Sequence, residues 1–268
     1  IQYLQDFVAE ENLDCDLNMS GRLTGVRNQQ QLDAMATKCE HLAKLENFTY
    51  KLIENKGISS EIGSEHYYAG VVFGQDGGLQ PFKLVTALAN KVLQLGGKIF
   101  DQTRVSELSQ KAGKHFLVTD RGSLTADQVV IASNAYNKRF APKSLAYFSK
   151  RILPLTSAMI ATQELPEATI KALFPHGRMH GGNHRLVQYY RPSPDGKRVL
   201  FGARGVDFWD RAKVNGANLQ LLMQQIFPQL KGVKIDYAWS GKVAYTFDHG
   251  PHIGQHDGLF YAMGYSGS

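Results

Sequence analysis

The chain has 268 residues, enough for one large domain or two interleaved ones. Its net charge of +6 arises from 30 Lys and Arg against 24 Asp and Glu without a basic block, which argues against a nucleic-acid-binding surface. No apolar run reaches membrane-spanning length, so no integral membrane segment is expected. Two cysteines, Cys15 and Cys39, are too few for a disulfide framework. A reducing compartment fits that count, and a cytoplasmic location is expected.

Residues 1–10 place Ile1, Leu4, Phe7 and Val8 on one helical face, and residues 17–26 read as a strand broken by Gly21 and Gly25. Asn28 then caps a long predicted helix with Leu32, Met35, Cys39, Leu42, Phe48, Leu52 and Ile53 near helical spacing, closed by Gly57. Residues 67–73 form an apolar strand leading to the turn Asp76-Gly77-Gly78. A helix follows with Pro81 in its first turn, an apolar stripe from Leu84 to Leu95 and a Gly96-Gly97 stop.

Strand signals continue through 98–108, 116–119 and 123–126, the last two hinged at Asp120-Arg121-Gly122. Residues 128–132, Gln-Val-Val-Ile-Ala, read as a buried strand ending in Ser133-Asn134. Helix, strand, meander and strand in this order match the second half of a nucleotide-binding α/β unit.

From Leu153 the pattern changes to long strands at 153–162, 186–191, 198–202 and 235–243. They are interleaved with helices at 167–174 and 214–227, and Pro194-Asp195-Gly196 is a hairpin loop. The fold class expected is α/β plus α+β, a partial Rossmann-like nucleotide-binding domain interrupted by an antiparallel-sheet domain. The boundaries expected are 1–78 for the interrupting domain with connecting helices, 79–136 for part of the nucleotide-binding domain, 137–240 for the antiparallel domain again and 241–268 for the returning part.

The last stretch closes on the apolar run 259–263, entered from Asp257-Gly258 and left through Gly264, Ser266 and Gly267. That is the pattern of a strand running into a tight turn that opens a helix, where free N–H groups favour an anionic or electron-rich ligand edge. The chain starts at Ile1 inside a helical pattern and stops where that helix should open, and neither Gly21-x-x-x-Gly25 nor Gly74 to Gly78 forms a dinucleotide glycine fingerprint. A longer protein at both ends is therefore expected.

The ordered set of short motifs carries a family resemblance. It comprises Gly78-Leu79-x-Pro81, Gly96-Gly97-Lys98-Ile99 and Thr103-x-Val105, then Ala126-Asp127-x-Val129-Val130-Ile131-Ala132-Ser133-Asn134-Ala135-Tyr136. Arg151-x-Leu153-Pro154, Tyr189-Tyr190-Arg191, Phe201-Gly202-x-Arg204, Trp239-x-Gly241, Pro251-x-x-Gly254 and Gly264-Tyr265-Ser266-Gly267 follow. Together they resemble the FAD-dependent D-amino-acid oxidase-like oxidoreductases, most nearly the gamma-glutamylputrescine oxidase branch. The resemblance implies an FAD-binding domain, a substrate domain, and oxidation of the C–N bond of an amine or amino acid, a gamma-glutamylated polyamine among them. It also implies that the electrons pass to oxygen. The partner expected is that small molecule.

The resemblance also implies residue roles. Gly264, Tyr265, Ser266 and Gly267 would present backbone N–H groups to the flavin. Val105 would lend its backbone to the adenine, while Ala132, Ser133 and Asn134 end a strand where open α/β sheets bind ligands. Gly241, Pro251 and Gly254 complete the expected cofactor set. Tyr190, Arg191, Trp239 and His252 are the expected catalytic residues, with Arg191 a candidate carboxylate clamp and Trp239 a pocket wall. Successive strand residues face opposite sides, so only one of Tyr189 and Tyr190 can look into a given cavity. Asp248, His249, His252 and His256 suggest a metal, but Gly250, Pro251 and Gly254 break the segment, and none is expected. The alternatives are a dehydrogenase of the same fold with another electron acceptor, and a flavin-less binding subunit.

Overall fold

The computed structural model describes residues 1–45, 48–136, 145–182, 187–204 and 212–266. The chain divides into two compact units. The first holds Ile1–Lys98, Ala158–Val206 and Arg211–Trp239, and the second holds Ile99–Ser157, Asp207–Asp210 and Ser240–Ser268. The first division thus falls at 98/99, where the sequence reading placed a boundary at 78/79.

The first unit opens with α1 (Gln2–Glu10), β1 (Arg22–Val26) and α2 (Gln29–Leu42). Asn28 caps α2 by accepting a hydrogen bond from the Gln31 N–H at 2.9 Å. The helix ends at Leu42, not near Gly57. Leu52 and Ile53, read as helical, lie in β2 (Lys51–Ile53), which pairs antiparallel with β3 (Ala69–Phe73). So short an apolar segment fits either period, and pairing with β3 decides for the strand. Next comes α3 (Pro81–Gln94), begun by Pro81 and capped by the Gln80 side chain, which accepts from the Phe82 and Lys83 N–H groups. Its apolar stripe is not buried: Val85 is 63% exposed and Leu95 77%.

The second unit contains the meander β4 (Val105–Lys111), β5 (Lys114–Thr119) and β6 (Gly122–Ala126), then β7 (Val130–Ile131) and α4 (Ala146–Ser149). Residues 98–104, expected in a strand, precede β4 without joining it. The expected buried strand at 128–132 shrinks to two residues, with Val130 63% exposed. Its one described neighbour is β14 (Leu259–Met263), which runs parallel to it. On its other side β14 pairs antiparallel with β13 (His252–His256) through the turn Asp257-Gly258, both at positive φ.

The remaining strands are β8 (Leu153–Thr162), β9 (Met179–Gly182), β10 (Gln188–Pro192), β11 (Val199–Arg204) and β12 (Ile235–Tyr245), of which β8 and β12 are long. With them come α5 (Glu167–Leu173) and α6 (Ala212–Ile226). Eight strands join in the order β12-β8-β11-β10-β9-β1-β3-β2, and β9 pairs parallel with β1. On one face of the sheet Tyr190, Phe201 and Ile160 pack with Leu219, Met223 and Ile226 of α6 and with Phe174 and Phe227. Strand alternation then sends Tyr189, Arg191, Leu200, Met159 and Ala161 to the opposite face.

Candidate active site

That opposite face lines a cavity of about 810 Å³ in the first unit, a volume suited to a small-molecule ligand. Met159, Tyr189, Leu200, Tyr237 and Trp239 form its apolar and aromatic wall, and Arg191 lies on its boundary. Trp239, 44% exposed, occupies this wall with Tyr237 two residues before it on the same strand face. The Tyr189 ring crosses over Gly202, where a Cβ would come within 2.2 Å of it. Gly202 is therefore the residue that lets Tyr189 lie flat against β11.

Tyr190, expected to be catalytic, belongs to the core instead. Its ring is 3% exposed and stacks on Phe201 at 5.5 Å and on His180 at 5.6 Å. Its hydroxyl donates to the Tyr67 hydroxyl at 2.6 Å. Burial raises both phenols, Tyr67 to about 12, so both stay protonated. The tyrosine that lines the cavity is Tyr189, and the signal was available: residues i and i+2 of a strand share a face, so a cavity-facing Arg191 requires Tyr189.

Arg191 is held from the loop before α3. Its Nη2 donates to the Leu79 carbonyl at 2.8 Å, and a Cβ on Gly78 would fall 2.6 Å from Nη1. Among the described residues no carboxylate lies within ion-pair distance of Arg191. Its neighbour Arg198, by contrast, is paired with Asp236 at 2.5 Å and Glu164 at 3.6 Å. Burial lowers the Arg191 pKa and the charge of Asp16 offsets this in part, but the guanidinium stays charged. A half-buried cation without a paired anion is costly, and an anionic ligand group would relieve that cost.

In the second unit, Asn134 ties the ends of β7 and β14 together. Its Oδ1 accepts from the Gly264 N–H at 3.1 Å and the Tyr265 N–H at 3.2 Å, and its Nδ2 donates to the Tyr265 carbonyl at 3.1 Å. The N–H groups of Gly264 and Tyr265, expected to face a flavin, are thus already engaged by Asn134. Gly264 sits at φ +87°, and a Cβ there would meet the Gly250 carbonyl oxygen and Thr246 Cγ2, each at 2.7 Å. This fixes a glycine at the turn. Ala132 and Ser133 are small and exposed beyond the carboxyl end of β7, and Ser266 is buried. Small residues at the carboxyl ends of parallel strands fit the close approach of a dinucleotide such as FAD.

The remaining expected residues divide. Pro251 lies beside Gly264, in the loop whose Gly250 carbonyl approaches that glycine. His252 bonds through Nε2 to both Asp248 oxygens, at 2.9 and 3.1 Å, while Asp248 also accepts from the Thr246 hydroxyl and the Gly250 N–H. These contacts hold the Asp248 carboxyl well below its ordinary range, so His252 staples a turn. Gly254 makes room for Tyr261, whose hydroxyl would be 2.8 Å from an added Cβ. Gly241 precedes Lys242, whose N–H donates to the Tyr136 hydroxyl at 3.3 Å. Val105 starts β4, which lies in a different sheet from β7 and β14. Gly267 lies outside the described residues.

The family model described as FAD dependent oxidoreductase matches residues 1–268. The chain is 30% identical to the probable oxidoreductase OrdL of Haemophilus influenzae over 272 residues, covering 100% of this chain and 61% of that protein. It is 29% identical to the gamma-glutamylputrescine oxidoreductase of Escherichia coli, covering 99% of this chain and 61% of that protein. The chain therefore spans about three fifths of the length of these relatives. Among solved structures, glycine oxidase from Geobacillus kaustophilus superposes with a TM-score of 0.81 at 20% identity, over 98% of this chain and 70% of that one. L-proline dehydrogenase from P. horikoshii does so with a TM-score of 0.80 at 20% identity, over 98% and 71% of the two chains. Matched along its whole length, the chain belongs to the FAD dependent oxidoreductase family.

Proposed function

We propose that the protein oxidises the C–N bond of an amine that also carries a carboxylate, with a gamma-glutamylated polyamine as substrate and oxygen as electron acceptor. The observation that carries this reading is Arg191, a half-buried guanidinium without a carboxylate partner among the described residues, on an apolar cavity. The similarity to a relative named gamma-glutamylputrescine oxidoreductase supports the choice of substrate. Bound FAD supplies the two-electron acceptor that lets the C–N bond become an imine, with oxygen taking the electrons as peroxide.

The chain's own residues bind and orient. Arg191 pairs with the substrate carboxylate through two parallel N–H bonds, fixing one end of the molecule. Met159, Leu200, Tyr237 and Trp239 surround the alkyl chain. Their low polarity disfavours an ammonium ion and so favours the neutral amine, the form whose lone pair can close a C=N bond. Tyr189, beside Arg191 on the same strand face, sets the width of the cavity. Ala132, Ser133, Asn134, Tyr265 and Ser266 would hold part of FAD in the second unit, and Val105 would contribute from β4.

Peroxide release tests the reading with paired amines that differ only in a carboxylate. The carboxylated member should have a kcat/KM at least about tenfold higher, the value of one charge-assisted hydrogen bond, and Arg191→Met should erase the difference. Equal kcat/KM for both members in the unaltered protein would contradict it.

A further inference from the structure

Met179 of β9 belongs to the walls of two cavities in the first unit, the apolar one that Arg191 bounds and a second, of about 870 Å³, that shares Arg191 with it. A Cβ built on Gly78 would lie 2.9 Å from Met179 Sδ and 2.6 Å from Arg191 Nη1, so the sulfur and the nitrogen are at most 5.5 Å apart, the sum of the two. Nη2 of that guanidinium donates to the Leu79 carbonyl, whereas Nη1 has no acceptor among the described residues. A thioether sulfur is a weak acceptor, so it leaves the Nη1 hydrogens free for a ligand.

The chain has six methionines, and their surroundings differ. Met223 and Met263 are packed in the two cores, closed to solutes. Met19, Met35, Met159 and Met179 are half-buried, within reach of a small oxidant, but only Met179 lines both cavities beside the guanidinium. When hydrogen peroxide meets a thioether, an S–O bond forms as the O–O bond breaks. The sulfur loses two electrons, the peroxide gains them, and its second oxygen leaves as water. The product is polar, and its oxygen accepts hydrogen bonds that the sulfur did not. Next to Arg191, that oxygen competes with a ligand carboxylate for the Nη1 hydrogens.

We propose that Met179 is an oxidation site coupled to Arg191. Hydrogen peroxide converts it to the sulfoxide, the sulfoxide oxygen occupies the guanidinium, and affinity for the substrate carboxylate falls. Peroxide is the product of the proposed reaction, so the site makes turnover self-limiting. The assignment rests on the proposed clamp role of Arg191 and, for the source of peroxide, on oxygen as the proposed acceptor.

Calorimetric binding of an unreactive carboxylate probe, 4-acetamidobutanoate, to the FAD-loaded protein tests it, with peptide mass spectrometry locating each added oxygen. Brief exposure to hydrogen peroxide should oxidise Met179 and spare Met223 and Met263. Probe affinity should then fall about tenfold or more, the value of one charge-assisted hydrogen bond. Met179→Leu, of similar volume but without an oxidisable sulfur, should keep its own untreated affinity through the same exposure. In turnover with oxygen, Met179 should gain the same atom, and catalase should prevent it. Affinity that survives oxidation of Met179, or that falls equally in Met179→Leu, would overturn the coupling and leave Arg191 as the clamp. Peroxide release in turnover without oxidation of Met179 would overturn the self-limiting role. An untreated protein without affinity for the probe would overturn the clamp, and the coupling with it.

Discussion

The hydroxyl of Tyr190 donates to that of Tyr67 across 2.6 Å in the sheet's packed face, while Tyr189 turns to the cavity on the opposite face. Tyr190→Phe should therefore cost stability and leave ligand binding alone. The loss of one buried hydrogen bond is about 1 kcal/mol, more if the Tyr67 hydroxyl is left short of a partner. Urea denaturation reads the first effect. Probe binding reads the second, and there Tyr189→Ala should weaken affinity where Tyr190→Phe does not.

Arg191 is the proposed carboxylate clamp, and Gly78 leaves the space that its guanidinium occupies. A methyl group on Gly78 would sit 2.6 Å from the guanidinium Nη1 and 2.9 Å from Met179 Sδ, so Gly78→Ala requires these side-chain ends to shift, and a shifted guanidinium disturbs its bond with Leu79. We expect KM for carboxylated amines to rise about tenfold or more with a smaller change in kcat, because positioning of the carboxylate, and not the reacting bond, is disturbed. Amines without a carboxylate should show little change in either constant.

His180 should make the protein acid-sensitive. Its ring nitrogens have no hydrogen-bond partner among the described residues, and burial, with the charges of Arg178 and His176, lowers its pKa from 6.5 to about 3. In the unfolded chain the imidazole takes a proton near pH 6.5, well before the folded form does. The stability from the neutral ring is thus full above that pH. It drains by about 1.4 kcal/mol per pH unit as the pH falls toward 3. Thermal midpoints measured across this range should fall less steeply for His180→Phe than for the unaltered protein. Parallel curves would show that His180 is not the titrating group.

The Asn134 bridge gives a prediction for the second unit. Asn134→Ala leaves the Gly264 and Tyr265 N–H groups without their acceptor, at a cost of about 1–2 kcal/mol for these partly exposed groups. Denaturation should report that loss. If the bridge shapes a flavin contact, the variant should also release FAD more readily on dilution, as followed by the return of free-flavin fluorescence.

Local signals in the sequence were reliable where several agreed. Pro81 at the start and Gly96-Gly97 at the end bounded α3, and the apolar run 153–162 became β8 over the same residues. They failed where pairing distant in sequence decided the outcome. β9 lies parallel to β1 across more than 150 residues, and nothing in Met-His-Gly-Gly announces a strand. Residues 51–53 join β3 as an edge strand despite their helix-compatible spacing. The site was half legible for the same reason. Arg191 and Trp239 carry side chains whose chemistry stands out. The choice of Tyr189 over Tyr190 depended on strand parity, and the roles of Gly78 and Gly202 depended on close approaches that only the folded chain reveals.

The central claim is flavin-dependent oxidation of a carboxylated amine, and anaerobic reduction tests it most directly. Purified protein carrying FAD, mixed with γ-glutamylputrescine in the absence of oxygen, should lose its yellow flavin absorbance. The colour should return with peroxide release when oxygen is admitted, and Arg191→Met should bleach far more slowly at low substrate. Flavin that stays oxidised in the presence of γ-glutamylputrescine and a panel of other carboxylated amines would contradict the account.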